Sequence, residues 1–487
     1  MRSEIIQLVL SLTPSERREF KIKNVTSSDF VTVLDYIHKT KSLDYSELRT
    51  YFEKKFPERS TNYTSGYFSS VVSYMQEKIF EIIVESEKNR AYVEINRRLA
   101  RYYALSNRSL HKMAWQELEI CKKIAIKNHL YEEQLLINRQ EYIIHNFSRY
   151  ENISKEELAV LKENSDEIIR ELELQHQYID LLSQISLNYY RESFDVAVFQ
   201  KIFDLGKEDL VSKNFWTLNT HKFNIANNLL FTGNYTAGFE QYEEIIAMWK
   251  EERNLMQLLP RMFLIQVQSY FNWLLKIPGT NESNVQKEKA NMLLKLLEAE
   301  IQGFTYKLDI QFCNEIILII QFWLLKENKM YHEITQNVQE EEISQYTDQH
   351  NRMHLIYSIA YSYFQLNMSD KSLQLIEPFV EGNYDYKSNN YIFIKMLMLR
   401  ILIYKEKKDE KYVLYLIQNA KYLFKKYSFD SDYEKFFLAL MQRMSGKTYT
   451  KNASTILNNA KIELTKIVEL KKDYLMLSDW IEKKILA

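Results

Sequence analysis

Glycine and proline are scarce in this sequence. The 487-residue chain contains 8 glycines and 5 prolines, whereas average usages of about 7% and about 5% would give roughly 34 and roughly 24. Glycine supplies the positive-φ positions of tight turns and phosphate-binding loops, and proline pre-sets many other turns. The shortage therefore argues against an all-β fold and against a Rossmann-type nucleotide-binding fold.

Cysteine is also rare. The only two, Cys121 and Cys313, form neither a CxxC metal-site pattern nor a disulfide framework. His350 and His354 are four residues apart on a predicted helix, and that spacing can place two imidazoles on one metal. However, no glutamate stands where a zinc protease needs one, and no third ligand is identifiable. Since no nucleophile motif occurs either, we expect no metal, no cofactor and no enzymatic activity.

The chain has no excess of one charge and no long apolar run. Its 64 Lys and Arg and 65 Asp and Glu give a net charge of −1, which offers no electrostatic case for nucleic acid or anionic membrane. The longest strongly apolar run, Ile316 to Leu325, has ten residues, about half a membrane span. We expect a cytoplasmic protein without membrane contact, and nucleic acid is a poor candidate partner.

What the sequence does have is helical periodicity almost throughout. Helix starts are marked by capping patterns, as in Thr13, Pro14 and Glu16. We predict an all-α fold. Residues 1–86 form a small helical N-terminal module, and the predicted helices lie near 3–12, 14–22, 29–39, 45–56 and 62–86.

The order of helices in this module permits a helix-turn-helix. Its reading helix would present the residues of its first turn, which are Asn62, Tyr63, Thr64, Ser65 and Tyr67. The module carries 12 basic and 12 acidic groups, a balance that does not favour binding to a phosphate backbone. A ligand-responsive transcriptional regulator with an N-terminal helix-turn-helix-like module is therefore the alternative function.

Pairs of helices recur from residue 87 to residue 487. Their expected starts are 89, 130, 178, 213, 255, 306, 343, 388 and 431. The spacing wanders around roughly forty residues, which is typical of an irregular α-solenoid.

Two of these units carry a pattern of small and large residues. One has its pattern at Ala226, Leu229, Gly233, Asn234, Tyr235, Gly238 and Tyr242, and the other at Ala360, Tyr363, Asn367, Ser372 and Ile376. Both resemble tetratricopeptide repeats, and Tyr331 marks a third candidate unit. Small residues let two helices approach, larger ones fill the space between them, and Gly or Asn accepts the left-handed turn conformation. The resemblance implies a right-handed α-solenoid of irregular tetratricopeptide-like helix pairs following the N-terminal module.

The resemblance also implies a ligand and its site. The first helix of each pair would line a concave surface that binds a protein or peptide segment. The implied contact residues are Thr220, Phe223, Asn227, Leu230 and Phe231 in one unit and His354, Tyr357, Tyr361, Phe364 and Gln365 in the other. The alternative for each of them is packing against adjacent repeats or against the chain's own termini. We expect a non-catalytic binding scaffold.

Overall fold

Helices make up the secondary structure of the computed structural model. It describes residues 4–25, 27–40, 45–57, 66–86, 91–147, 155–191, 214–275, 283–304, 307–336, 343, 349–381, 390–426, 432–445, 449–468 and 475–486. Within these ranges there are 23 α-helices, one short 3₁₀ turn at Ile301–Gly303 and no strand. The predicted all-α class is therefore confirmed.

In chain order the helices are α1 (Glu4–Ser11), α2 (Pro14–Lys23), α3 (Ser28–Thr40), α4 (Tyr45–Lys55), α5 (Tyr67–Ser86), α6 (Ala91–Ser106), α7 (His111–Lys127), α8 (Tyr131–Phe147), α9 (Lys155–Arg191), α10 (Phe215–Phe231), α11 (Tyr235–Glu251), α12 (Arg253–Leu258), α13 (Pro260–Leu274), α14 (Ser283–Glu300), α15 (Lys307–Glu327), α16 (Tyr331–Gln336), α17 (Gln349–Gln365), α18 (Ser369–Glu381), α19 (Asn390–Glu406), α20 (Glu410–Lys426), α21 (Asp432–Met444), α22 (Tyr449–Val468) and α23 (Leu475–Leu486).

The chain divides into two compact units. The first comprises Met1–Leu259 with Tyr306–Leu308, and the second comprises Pro260–Thr305 with Asp309–Ala487. The domain boundary expected after residue 86 stays a prediction. Helices α1 to α5 nevertheless share a hydrophobic cluster whose buried residues all lie between Ile5 and Ile82.

The start of α2 shows how the sequence sets a helix boundary. The Thr13 hydroxyl accepts a hydrogen bond from the Glu16 backbone N–H at 3.2 Å, and the Thr13 N–H donates to the Glu16 carboxylate at 2.7 Å. Pro14 occupies the first helical position, where its missing N–H costs no hydrogen bond. The predicted capping box is confirmed.

Six of the described helix–helix connections use the same backbone turn. In each, a residue with positive φ donates its N–H to the carbonyl three residues back, and the next N–H donates to the carbonyl five residues back. This is the Schellman arrangement that ends many helices. The six positive-φ residues are Ser109, His129, Gly233, Lys329, Asn367 and Lys408. The turns expected at Gly233 and Asn367 are thus confirmed, and Lys329 makes the same turn before Tyr331.

Helices α10 and α11 approach closely where the sequence has small residues. A Cβ atom at Gly238 would lie 2.5 Å from the Leu230 Cγ and 3.2 Å from the Ala226 carbonyl oxygen. The close contact therefore involves Leu230. Its neighbour Leu229, which belongs to the sequence pattern, is only half-buried. Burying Ala226 against Gly238 leaves room for the larger Tyr242, which is fully buried.

No helix begins at residue 178, where a pair was expected to start, because α9 runs unbroken from Lys155 to Arg191. Neither glycine nor proline interrupts this stretch. Its buried residues Leu161, Ile168, Tyr178 and Leu181 continue one apolar stripe past the expected boundary. Helical periodicity alone did not reveal that two predicted helices are one.

The C-terminal helix α23 is packed into the core of the second unit. Leu477, Trp480 and Ile481 are buried in a cluster that draws on α17 to α23. The Trp480 indole N–H donates to the Glu406 carboxylate at 2.6 Å, and the Lys484 ammonium contacts the other oxygen of Glu406 at 2.8 Å. Apolar burial and polar contacts together fix this helix against the end of α19.

Among the described helices, the stretch Leu308–Glu327 of α15 is long and apolar enough to span a membrane. Its mean hydropathy is 1.5, and 44% of its apolar segment is buried inside the protein. Buried core helices meet the same length and hydropathy criteria. Glu315 in this helix is fully buried and accepts a hydrogen bond from the Asn351 amide at 3.1 Å. Asn351 in turn accepts one from Gln268 at 2.6 Å. These contacts satisfy polar groups inside the second unit.

Candidate protein-binding surfaces

The residues predicted to bind a ligand in the first unit lie along α10. Phe223 and Asn227 are 8% and 7% exposed, and Leu230 is 1% exposed. Thr220 and Phe231 are half-buried.

Asn227 is held between the two helices of this pair. Its amide donates to the Phe223 carbonyl at 2.7 Å, and its side-chain oxygen accepts the Tyr242 hydroxyl at 3.1 Å. The Phe223 and Tyr242 rings meet edge to face with their centroids 5.7 Å apart. These side chains therefore form the interior of the α10–α11 pair, and contact with a ligand stays a prediction.

The corresponding residues in the second unit lie along α17. Tyr357, Tyr361 and Phe364 are 7%, 1% and 6% exposed, whereas His354 and Gln365 are half-buried. The ammonium of Lys395 lies 5.6 Å from the centre of the Tyr357 ring. Burial, and then the positive charge of Lys326, lowers the pKa of Lys395 well below its usual value.

Tyr361 contacts the C-terminal helix α23. Its hydroxyl donates to the Asp479 carboxylate at 2.7 Å and accepts the Gln365 amide at 2.9 Å. Tyr331 donates to the same Asp479 oxygen at 3.3 Å. Burial, and then the charge of Asp479, raises the pKa of Tyr331 to about 12 and that of Tyr361 well above its usual value. The alternative of packing against the chain's own terminus therefore describes the contacts that Tyr361 makes.

An open groove lies elsewhere in the first unit, along α8 and α9. It has a volume of about 650 Å³ and is lined by Glu132, Leu135, Leu136, Arg139, Tyr142, Ile143 and Ser165. Leu136 and Ile143 are 36% and 37% exposed. An apolar lining that stays open to solvent is the kind of surface that binds another molecule.

The two hydroxyl groups that line the groove already have partners inside the protein. The Tyr142 hydroxyl donates to the Leu158 carbonyl at 3.3 Å. The Ser165 hydroxyl donates to the Leu161 carbonyl at 2.9 Å and accepts the Asn138 amide at 3.1 Å. A ligand would therefore meet apolar side chains together with the exposed charged side chains of Glu132 and Arg139.

Sequence reasoning missed this groove, although α8 carries a signal for it. Ile137 and Ile144 are 0% and 1% exposed and face the core, while Leu136 and Ile143 each stand one position earlier and remain exposed. The helix thus has two neighbouring apolar stripes, whereas one suffices to pack a surface helix. A second stripe beside the core stripe is the feature that indicates a binding surface.

Acidic residues gather at one end of the groove, where α8 begins. Glu132 lines the groove itself. Burial, followed by the negative charges of Glu171, Glu167 and Glu252, raises the pKa of the neighbouring Tyr131. Several carboxylates therefore lie close together at this end of the groove.

The side chains that could bind a metal or act as nucleophiles do not come together in a site among the described residues. No group of three or more His, Cys, Asp or Glu side chains suited to a metal occurs there. The side chain of His350 lies outside the described residues. Burial raises the pKa of Cys121 to about 11 and that of Cys313 to about 12, which disfavours the nucleophilic thiolate. The expectation that the protein is not an enzyme stays a prediction.

The candidate DNA-reading helix lies mostly outside the described residues, since Asn62, Tyr63, Thr64 and Ser65 belong to the segment 58–65. Tyr67 is the first residue of α5, and its hydroxyl donates to the Asp29 carboxylate at 2.7 Å. That hydrogen bond ties α5 to α3. DNA binding by this module stays a prediction.

Comparison with known proteins gives this chain no relative. No family model, no curated protein and no solved structure matches it.

Proposed function

We propose that this protein is a non-catalytic scaffold that binds a segment of another protein in the cytoplasm. The open groove along α8 and α9 is the observation that carries the proposal. Its apolar residues Leu135, Leu136 and Ile143 line a volume of about 650 Å³ without being covered by the described residues. Exposed apolar surface of this kind gains free energy when a partner covers it.

The repeated turn supports a scaffold built from stacked helix pairs. Six connections share one backbone arrangement, and those at Lys329, Asn367 and Lys408 are spaced at intervals of roughly forty residues, as in helical repeat proteins. We propose that the pairs form an irregular, right-handed α-solenoid of the tetratricopeptide-like kind. Such arrays bind peptides through extended surfaces.

The residues first expected to bind the ligand take a secondary place in this proposal. Phe223, Asn227 and Tyr361 are engaged inside the protein. Thr220 and His354 are more accessible, and each remains a candidate contact residue within its own unit.

Substitution in the groove tests the scaffold proposal. Ile143→Asp places a charge on the exposed apolar stripe, so partners recovered by affinity purification from the native cell should fall at least about tenfold, as at interface positions that dominate binding. Quantitative mass spectrometry of the recovered proteins measures the change. A photo-crosslinking amino acid at position 136 should attach to one recurring segment of a recovered partner.

The matched control is Ile462→Asp, because Ile462 is also an exposed isoleucine, 60% accessible, but lies on α22. It should leave every recovered partner unchanged. The scaffold proposal is wrong at this groove if both variants recover the same partners in equal amounts while remaining folded.

A further inference from the structure

The charges of the two helices that form the groove bear on the chemistry of a partner. Helices α8 and α9 together contain eleven acidic and five basic residues, a net charge of −6 against −1 for the whole chain. Three of these acidic residues, Glu132, Glu167 and Glu171, lie at the end of the groove where α8 begins, together with Glu252 from outside the two helices. Arg139 lines the groove about two helical turns away from Glu132, so the acidic character belongs to the Glu132 end. A basic segment would gain favourable electrostatic energy there, and an acidic one would be repelled.

The backbone of the groove favours a helical partner over an extended one. An extended peptide brings unpaired N–H and C=O groups that need partners on the binding surface. Here both walls are helices, whose backbone groups are already paired, and the hydroxyls of Tyr142 and Ser165 are engaged internally. A helix satisfies its own backbone and presents only side chains.

The length of the groove matches about three helical turns. The lining residues of α8 run from Glu132 to Ile143, which is about 16 Å along the helix axis. A partner helix could set apolar side chains at positions i, i+4 and i+7 along this length.

We propose that the groove binds an amphipathic helix that carries lysine or arginine at one end, with that basic end placed over Glu132 and its neighbouring carboxylates. Apolar side chains of the helix cover Leu135, Leu136 and Ile143. This inference rests on the proposed scaffold function and specifies the chemistry of the segment that is bound.

Designed peptides test the inference with the full chain. The first probe is a fluorescent amphipathic helical peptide of about 15 residues, with leucines on one face and three lysines at one end. The second has glutamates in place of the lysines, and the third is the lysine peptide with a central proline that breaks the helix. Fluorescence anisotropy at about 50 mM and about 500 mM salt gives the affinities.

The lysine peptide should bind at least about tenfold more tightly than the glutamate peptide at low salt. High salt should reduce this difference in affinity, because it screens the charges. The proline peptide should lose most of its affinity. Leu136→Asp should abolish binding of the lysine peptide. The double variant Glu132→Lys with Glu167→Lys should reverse the preference between the lysine and glutamate peptides.

The matched charge control is Glu298→Lys with Glu463→Lys, which changes the net charge equally at exposed positions outside the groove. It should keep the preference for lysine. Thermal unfolding followed by circular dichroism checks that each variant is folded.

The outcomes separate the inference from the function on which it rests. Equal binding of the lysine and glutamate peptides, abolished by Leu136→Asp, would leave the groove as a binding site but overturn the basic partner. Equal binding of the proline peptide would overturn the helical form. If no peptide binds, the inference is wrong, and the purification with Ile143→Asp independently decides the scaffold function.

Discussion

Single small residues set how closely paired helices approach. Gly238 packs against the side chain of Leu230 and the backbone of Ala226, so that even one methyl group would meet atoms at 2.5 Å. Protein interiors are packed densely enough that such an overlap forces side chains or backbone to move. The sequence indicated this crossing, because a chain with 8 glycines in total places one of them at the middle of a helix pair.

Gly238→Ala should therefore destabilise the protein by about 1–3 kcal/mol, the usual cost of overpacking. Chemical denaturation followed by circular dichroism measures the change. Gly66→Ala is the matched control, because a Cβ at Gly66 meets nothing within 4 Å, and its effect should stay within about 0.5 kcal/mol. Leu230→Ala removes the overlapping atoms, so the double variant with Gly238→Ala should lose less stability than the sum of the two single changes. Additive losses would contradict the packing account.

The packing of whole helices depends on contacts that sequence periodicity does not reveal. The pattern predicted the bounds of α1 to α4 to within one residue at every end, because caps and apolar spacing are local properties. The docking of α23 includes hydrogen bonds to Asp479, which lies more than a hundred residues after its partners Tyr331 and Tyr361. A pairing over that separation leaves no periodic signal, so the contacts of Tyr361 were not foreseeable from its own helix.

The same contacts make the second unit sensitive to high pH. An unfolded tyrosine ionises near pH 10, whereas in the folded protein burial and Asp479 raise the pKa of Tyr331 to about 12 and that of Tyr361 well above its usual value. Between these pKa values the unfolded chain releases protons that the folded chain retains. The free energy of unfolding should therefore fall as the pH rises above about 10.

Tyr331→Phe combined with Tyr361→Phe should flatten this fall, because neither phenylalanine can ionise. Urea denaturation between about pH 9 and about pH 11 measures the slope. Tyr422→Phe is the control, since Tyr422 is 63% exposed, and it should leave the slope unchanged. A double variant with the slope of the wild type would show that other groups cause the loss of stability.

At the scale of the whole chain, the structure adds a division that the sequence did not indicate, because the compact units divide at Leu259 and Pro260. The boundary expected after residue 86 stays a prediction. Long-range packing decides which helices belong to one compact unit. Composition does not reveal this grouping, because both units are helical. The groove along α8 and α9 was missed for a related reason, since only the fold shows which of the two apolar stripes of α8 is covered by the core.

The two cysteines provide each unit with a natural thiol whose labelling rate reports the opening of that unit. Cys121 belongs to the first unit and Cys313 to the second, and both are fully buried. Their thiols donate weak hydrogen bonds to the carbonyls of Ile95 and Leu297. A thiol reagent can therefore react with either one only after the surrounding helices open, and burial further suppresses the thiolate that reacts.

Labelling kinetics on the Cys313→Ala and Cys121→Ala variants should thus record the opening of each unit separately, without any introduced probe. Adding Gly238→Ala should accelerate labelling of Cys121 and leave the labelling rate of Cys313 unchanged, because the overpacked pair lies in the first unit. Equal acceleration at both thiols would mean that the units open as one. The rarity of cysteine thus leaves one reporter thiol in each half of the chain.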